Sequence, residues 1–133
     1  MADTLQFELV APERLIFSGD VEMVVVPGAE GDFGVLPGHS LLLSTLRPGV
    51  IEIYENEKPK DRYVVAEGFA EVTGERCTVL STEAFEAGAI DRAQAEARLE
   101  QAQLRLRDAE GDEDRAKFER EVELAELLAA NAG

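Results

Sequence analysis

The residues that could do chemistry in this chain are few, and each lacks the company its chemistry needs. There is one histidine, His39, and one cysteine, Cys77. A lone histidine excludes a multi-histidine metal site, and no CxxC pair is present to bind zinc. His39 has no serine or cysteine in a nucleophile elbow to activate as a base. Cys77 sits in Arg76-Cys77-Thr78-Val79-Leu80, a strand-like run with no flanking group that would lower a thiol pKa. The glycine spacing Gly28-x-x-Gly31-x-x-Gly34 has the look of a phosphate cradle. It ends in no Gly-Lys-Ser/Thr, carries Glu30 and Asp32 where phosphate would come, and opens no helix. The acids from Asp108 to Asp114 lack the spaced order of a calcium loop and read as a solvated turn. No catalytic, cofactor or metal site is expected. What is left is the acidic loop itself. Two carboxylates beside nearly bare backbone suit contact with another chain, or simply solubility.

The elements that would position that loop follow from Val24–Gly49, VVVPGAEGDFGVLPGHSLLLSTLRPG. Proline fixes φ and glycine permits φ > 0, so this is strand, tight loop and strand in close succession. Leu5, Phe7 and Leu9 alternate with Gln6 and Glu8, the period of a half-buried strand. Further strands are expected at Leu15–Phe17, Val21–Val26, Phe33–Leu36, Leu41–Leu46, Val50–Tyr54, Arg62–Ala66, Phe69–Thr73 and Cys77–Leu80. The charged stretch Glu55–Asp61 reads as a tip that discourages edge pairing. Eight to ten short strands at this spacing predict an antiparallel β-sandwich or flattened barrel over residues 1–86.

At Ala87-Gly88 the period changes. Asp91 is placed to cap a helix in which Ala95, Leu99, Ala102, Leu106 and Ala109 recur at spacings of four and three. Gly111 is expected to stop it and Asp112 to cap a second helix, with Phe118, Val122, Ala125 and Ala129 as its stripe, widened by Leu124 and Leu128. Residues 87–133 should form an antiparallel two-helix hairpin, giving an α+β chain overall. Its alanine-rich seam buries little area per residue, so mobility is expected.

Composition narrows the partners. The 133 residues carry 28 acids and 13 bases, a net charge of −15. Such a chain is repelled by phosphate backbones and anionic headgroups, which argues against nucleic acid and for a basic protein partner. No run approaches the ~20 apolar residues of a membrane span. The opening Met1-Ala2-Asp3-Thr4 shows no targeting pattern. A free-standing β-sandwich module for a small ligand is the alternative. Without tryptophan, and with only Tyr54 and Tyr63 as tyrosines, stacking platforms for a carbohydrate are scarce.

Taken together, the string from Glu30-Gly31-Asp32 through Pro37-Gly38-His39 and the leucine run resembles the epsilon subunit of F-type ATP synthases, bacterial type. Leu9-Val10-x-Pro12-Glu13, Phe17–Glu22, Gly68–Val72, Thr78–Leu80 and the tail from Ile90-Asp91 add matching segments in order. The resemblance implies a non-catalytic rotor subunit that joins the gamma subunit to the c ring and couples proton flow to ATP synthesis. It would be held on the cytoplasmic face of the bacterial membrane by those partners. Glu30 and Asp32 would face the commonly basic loops of the c ring, and His39, Leu41 and Leu42 would meet gamma. In some members the hairpin reaches the alpha and beta subunits and inhibits hydrolysis. Two departures bear on regulation. The family's ATP motif Ile/Leu-Asp-x-x-Arg-Ala reads Ile90-Asp91-Arg92-Ala93-Gln94-Ala95 here, with Gln94 for arginine. The last helix offers Arg115, Lys117 and Arg120 and then only acids, where inhibitory members are basic. Both ATP binding and inhibition are therefore expected to be weak or absent.

Overall fold

A computed structural model describes residues 3–133. The chain divides into two compact units, one ending at Ala84 and one running Phe85–Gly133. The first is built of β1 (Leu5–Ala11), β2 (Arg14–Val21), β3 (Met23–Gly28), β4 (Gly31–Val35), β5 (Leu42–Leu46), β6 (Gly49–Glu55), β7 (Lys58–Val65), β8 (Gly68–Val72) and β9 (Arg76–Ser81). A three-residue strand, β10 (Ala84–Glu86), carries the chain across the boundary. The hydrogen-bonded order β7-β6-β3-β5-β8-β9-β1-β2, with β4 on β3, folds over into a sandwich. Its corner is a single residue pair, Gly28 with Leu46, where β3 hands over to β5.

Strict alternation makes the core. Leu5, Phe7 and Leu9 on β1, Val24 and Val26 on β3, Ile51 and Ile53 on β6, and Val72, Cys77 and Val79 on β8 and β9 face one another and lose nearly all contact with solvent. Phe17 joins them edge-on to Tyr63, with ring centroids 6.0 Å apart. Gly68 is required for a different reason. A Cβ there would lie 1.9 Å from the Leu80 carbonyl oxygen, so only glycine lets β8 and β9 meet at this point.

Four details depart from the sequence reading. Of the ladders whose register is described, only β1 with β9 is parallel; the long chain between these two strands returns in the same direction. The expected strand Val21–Val26 breaks at Glu22, so that Val21 ends β2 and Met23 begins β3. The charged tip is mostly strand: Asn56 and Glu57 take left-handed φ of 54° and 66°, the twist of a two-residue hairpin turn. β7 then resumes at Lys58, and Pro59 is tolerated where the register shifts. Strand β10 carried too little alternation to be seen.

The second unit holds α1 (Arg92–Arg107) and α2 (Asp112–Ala130), joined by four residues. Asp91 caps α1 by accepting from the Gln94 amide at 2.9 Å. Gly111, at φ 84°, is the N-cap of α2 rather than the stop of α1, which ends at Asp108. Asp112 lies inside the first turn with Glu113 and Asp114, where acids favour the helix dipole. Ala95, Ala102, Leu124, Ala125 and Leu128 are buried, whereas Leu99, Leu106, Ala109, Phe118, Val122 and Ala129 of the expected seam are only half-buried. The end of α2 is tied to the start of α1, Gly88 donating to the Asn131 carbonyl at 3.1 Å and Arg92 to the Ala129 carbonyl at 3.4 Å.

Candidate functional site: an acidic hairpin and an apolar sheet face

The acidic segment is a tight β-hairpin. Gly28 pairs with Gly31 across the turn Ala29-Glu30, and Gly31 adopts a φ of 138° that a side chain would strain. Glu30 stands exposed at the tip. Asp32 is not a loop residue. It lies on β4 opposite Pro27, and its Oδ1 accepts from Arg47 Nη2 at 2.5 Å. The corner holds this hairpin in place: Ala29 donates to the Thr45 carbonyl at 2.9 Å and Arg47 to the Pro27 carbonyl at 3.1 Å.

Glu30, Asp32 and Leu42 are brought to one open groove of about 620 Å³ between this hairpin and β5, with Phe33 and Leu43 also in its walls. His39 and Leu41 are not among its lining residues. His39 follows the Pro37-Gly38 turn, which is pinned to the β8–β9 turn by the Gly38 amide donating to the Gly74 carbonyl at 2.8 Å. The Nδ1 of His39 lies 2.7 Å from the Ser40 carbonyl oxygen. A carbonyl only accepts, so Nδ1 carries the proton in this contact. Leu41 is 80% exposed, whereas Leu42 shares the inward face with Val72 and Cys77 and is half covered.

The register exposes a second feature that reading along the chain did not find. Thr45 lies beside Phe69, Phe69 beside Leu80, Leu80 beside Val10, and Val10 beside Leu15. All five side chains point away from the core, forming one apolar row across β5, β8, β9, β1 and β2. Phe69, Leu80 and Leu15 are 53%, 50% and 56% exposed, and Leu43, one step along the same face, is 70% exposed. A cavity of about 430 Å³ opens on this face between Phe69, Leu80, Val10 and Pro12. The only signal in the sequence was parity: these residues break the alternation of strands whose other face is already apolar.

Elsewhere the chemistry is quiet. Among the described residues no three His, Cys, Asp or Glu side chains converge so as to hold a metal ion. Burial pushes the Cys77 thiol up to about 12, which keeps it protonated and inert. No helix among the described residues is long and apolar enough to cross a membrane.

Known proteins agree with this architecture. Residues 4–87 match the family described as ATP synthase, Delta/Epsilon chain, beta-sandwich domain. The ATP synthase epsilon chain of Rhodospirillum rubrum is 52% identical over 134 residues, spanning the whole of both chains. That of Paramagnetospirillum magneticum is 49% identical and covers 98% of each. A chain in the mitochondrial ATP synthase of Euglena gracilis, solved as OSCP/F1/c-ring, superposes with a TM-score of 0.79 at 26% identity over 98% of this chain and 82% of that one. A chain from the central stalk and c ring of the Tetrahymena thermophila mitochondrial enzyme shares the fold, with a TM-score of 0.66 at 14% identity, covering 95% and 94%. With its sandwich matched from end to end and relatives of this identity along its full length, the chain belongs to the ATP synthase epsilon-chain family.

Proposed function

We propose that the chain is the adaptor of a rotary, proton-translocating ATP synthase, and that its two exposed features divide the work. The apolar face of β5-β8-β9-β1-β2 docks on the gamma subunit, with His39 and Leu41 at its margin. The acidic hairpin meets the basic loops of the c ring through the groove that Glu30, Asp32 and Leu42 line. The complex is held at the cytoplasmic face of a bacterial membrane by these contacts. No bond is made or broken in this subunit; its task is to carry torque between ring and shaft. A sandwich cross-linked by ladders at every strand is stiff enough for that.

The observation that carries this reading is the row Leu15–Val10–Leu80–Phe69. Large apolar side chains aligned across four strands desolvate well only against another protein, and such clusters supply most of an interface's affinity. The same residues contribute little to folding because they already face water. Replacing both Phe69 and Leu80 with glutamate should leave the melting transition of the isolated chain nearly unchanged. Binding to purified gamma should fall at least about a hundredfold, the effect of placing charges in a desolvated interface centre. Retention of wild-type gamma affinity would remove this face from the interface.

A further inference from the structure

Glu30 and Asp32 are two residues apart and both solvent-facing, yet the structure gives them different electrical environments. Asp32 already has a cation: Arg47 Nη2 lies 2.5 Å from its Oδ1, with the two side chains 38% and 59% exposed. No ion pair or side-chain hydrogen bond is formed by Glu30 among the described residues. Arg47 is itself held. Its amide donates to the Pro27 carbonyl at the corner, and its Nη1 lies over Gly49, where an added Cβ would come within 2.9 Å of it. The guanidinium is thus delivered to Asp32 by the joint between the two layers, not by a free-swinging side chain.

We infer that Arg47 is a positioning and specificity residue of the acidic hairpin: it occupies Asp32 and leaves Glu30 as the one carboxylate a basic partner reads. This rests on the proposed contact between the hairpin and the basic loops of the ring. A lysine or arginine arriving at Asp32 meets the Arg47 charge at close range and must displace it to gain a hydrogen bond. At Glu30 no such competitor stands. Arg47 therefore fixes which position along the hairpin is used and, by tying β4 to the β5–β6 connection, the angle at which Glu30 is presented. The pair adds little to stability, because exposed ion pairs of this kind are weak. Its effect is on the partner.

The test measures rebinding of purified variants to ATP synthase-containing membranes stripped of this subunit, as a function of salt. Glu30→Gln should weaken binding about tenfold at low salt and flatten the salt dependence, whereas Asp32→Asn should change it less than about twofold. Arg47→Gln introduced into Glu30→Gln should recover about threefold or more, because it frees Asp32 to replace the lost carboxylate. Arg47→Lys in the same background should recover nothing. Lys60→Gln, which removes a base paired with Glu55 instead, should also fail to rescue, excluding net charge as the cause. Equal losses for Glu30→Gln and Asp32→Asn, with no rescue by Arg47→Gln, would overturn the role of Arg47 while leaving the acidic contact in place. Silence of both single variants would remove the contact and this inference with it. A purely structural Arg47 would lower the melting temperature without rescuing anything.

Discussion

In the sandwich, the side chains withdrawn from water are Phe7, Leu5, Leu9, Ile51 and a set of valines contributed by both layers. In the hairpin they are Ala95, Ala102, Leu124, Ala125 and Leu128. A fully buried leucine or phenylalanine is worth roughly 1.5–3 kcal/mol and an alanine methyl about 0.8 kcal/mol, so the two units rest on very different foundations. The sandwich spreads its burial over nine strands that cross-pair non-locally. The hairpin has one narrow seam, an interhelical ion pair at 3.5 Å between Arg98 and Glu121, and a few ties at its open end. Helices of 16 and 19 residues are near the length at which isolated helices are marginal in water. The difference teaches where rigidity is invested: in the unit that carries the two proposed partner surfaces.

The largest expected effect tests that contrast directly. Phe7→Ala removes the largest fully buried side chain of the sandwich and should destabilise it by about 3–5 kcal/mol in a denaturant titration. A chain ending near Glu86 should still melt cooperatively with a β-type circular dichroism spectrum. Residues 87–133 alone should show only partial, non-cooperative helix. A hairpin as stable in isolation as the sandwich would break the comparison.

The same contrast explains what was legible in the sequence. Leu5, Phe7 and Leu9 announced their strand, and Asp91 its helix cap, because the signal in each case is local. The hairpin's face was legible too, from the spacing of Ala95, Leu99 and Ala102. Illegible features were those fixed by partners distant in sequence. Asp32 read as loop because its flanking glycines resemble a turn, but pairing with Pro27 makes it strand and Arg47, fifteen residues on, takes its charge. Lys58–Asp61 read as a charged tip, since nothing in its composition tells that Asn56 and Glu57 turn left-handed and send it back against β6. The row Leu15–Val10–Leu80–Phe69 draws on four strands, and only the register aligns it. Glycine serves both helix ends, so the sequence around Gly111 suits a stop of α1 as well as a start of α2; here it is the N-cap of α2, with a φ of 84°.

A second, smaller effect sharpens the picture of the sandwich core. Cys77 lies opposite Phe7 on β1 and Val72 on β8, fully buried, with its thiol pushed up to about 12 by burial against an ordinary value of 9.0. Between those values the unfolded chain releases the proton and the folded chain keeps it. Unfolding thus gains free energy as pH rises. This group's contribution is intact below pH 9 and declines above it by at most about 1.4 kcal/mol per pH unit. Cys77→Ala should abolish that slope after correction for its own cavity cost, with stability followed by urea titration at pH 8 to 10.5. In the native state at pH 8, a thiol reagent should label Cys77 only as fast as the protein opens. Rapid labelling would show that this part of the core is looser than its burial implies.

The smallest effect is expected from the hairpin. A helix that inhibits by inserting into an acidic element of the catalytic head needs positive charge on its leading face, because like charges across an interface cost several kcal/mol. From Asp112 onward the chain carries seven acids against Arg115, Lys117 and Arg120, and no base follows Arg120. The apolar residues of α2 offer little in exchange: Leu124, Ala125 and Leu128 are already buried. Insertion would have to expose them before it could use them. The beginning of α1 is equally unsuited to a nucleotide. Asp91 and Gln94 line a cavity of about 230 Å³ beside Arg98, below the roughly 300 Å³ of the smallest ordinary ligand pockets and with a carboxylate in its wall that would repel a phosphate. Deleting residues 88–133 should therefore change ATP hydrolysis by the assembled enzyme less than about threefold, and added ATP should not alter the hairpin's helicity. Activation well beyond that factor on deletion would mean that α2 gives up its own seam to pack in the catalytic head, and that packing outweighs charge in the weaker of the two units.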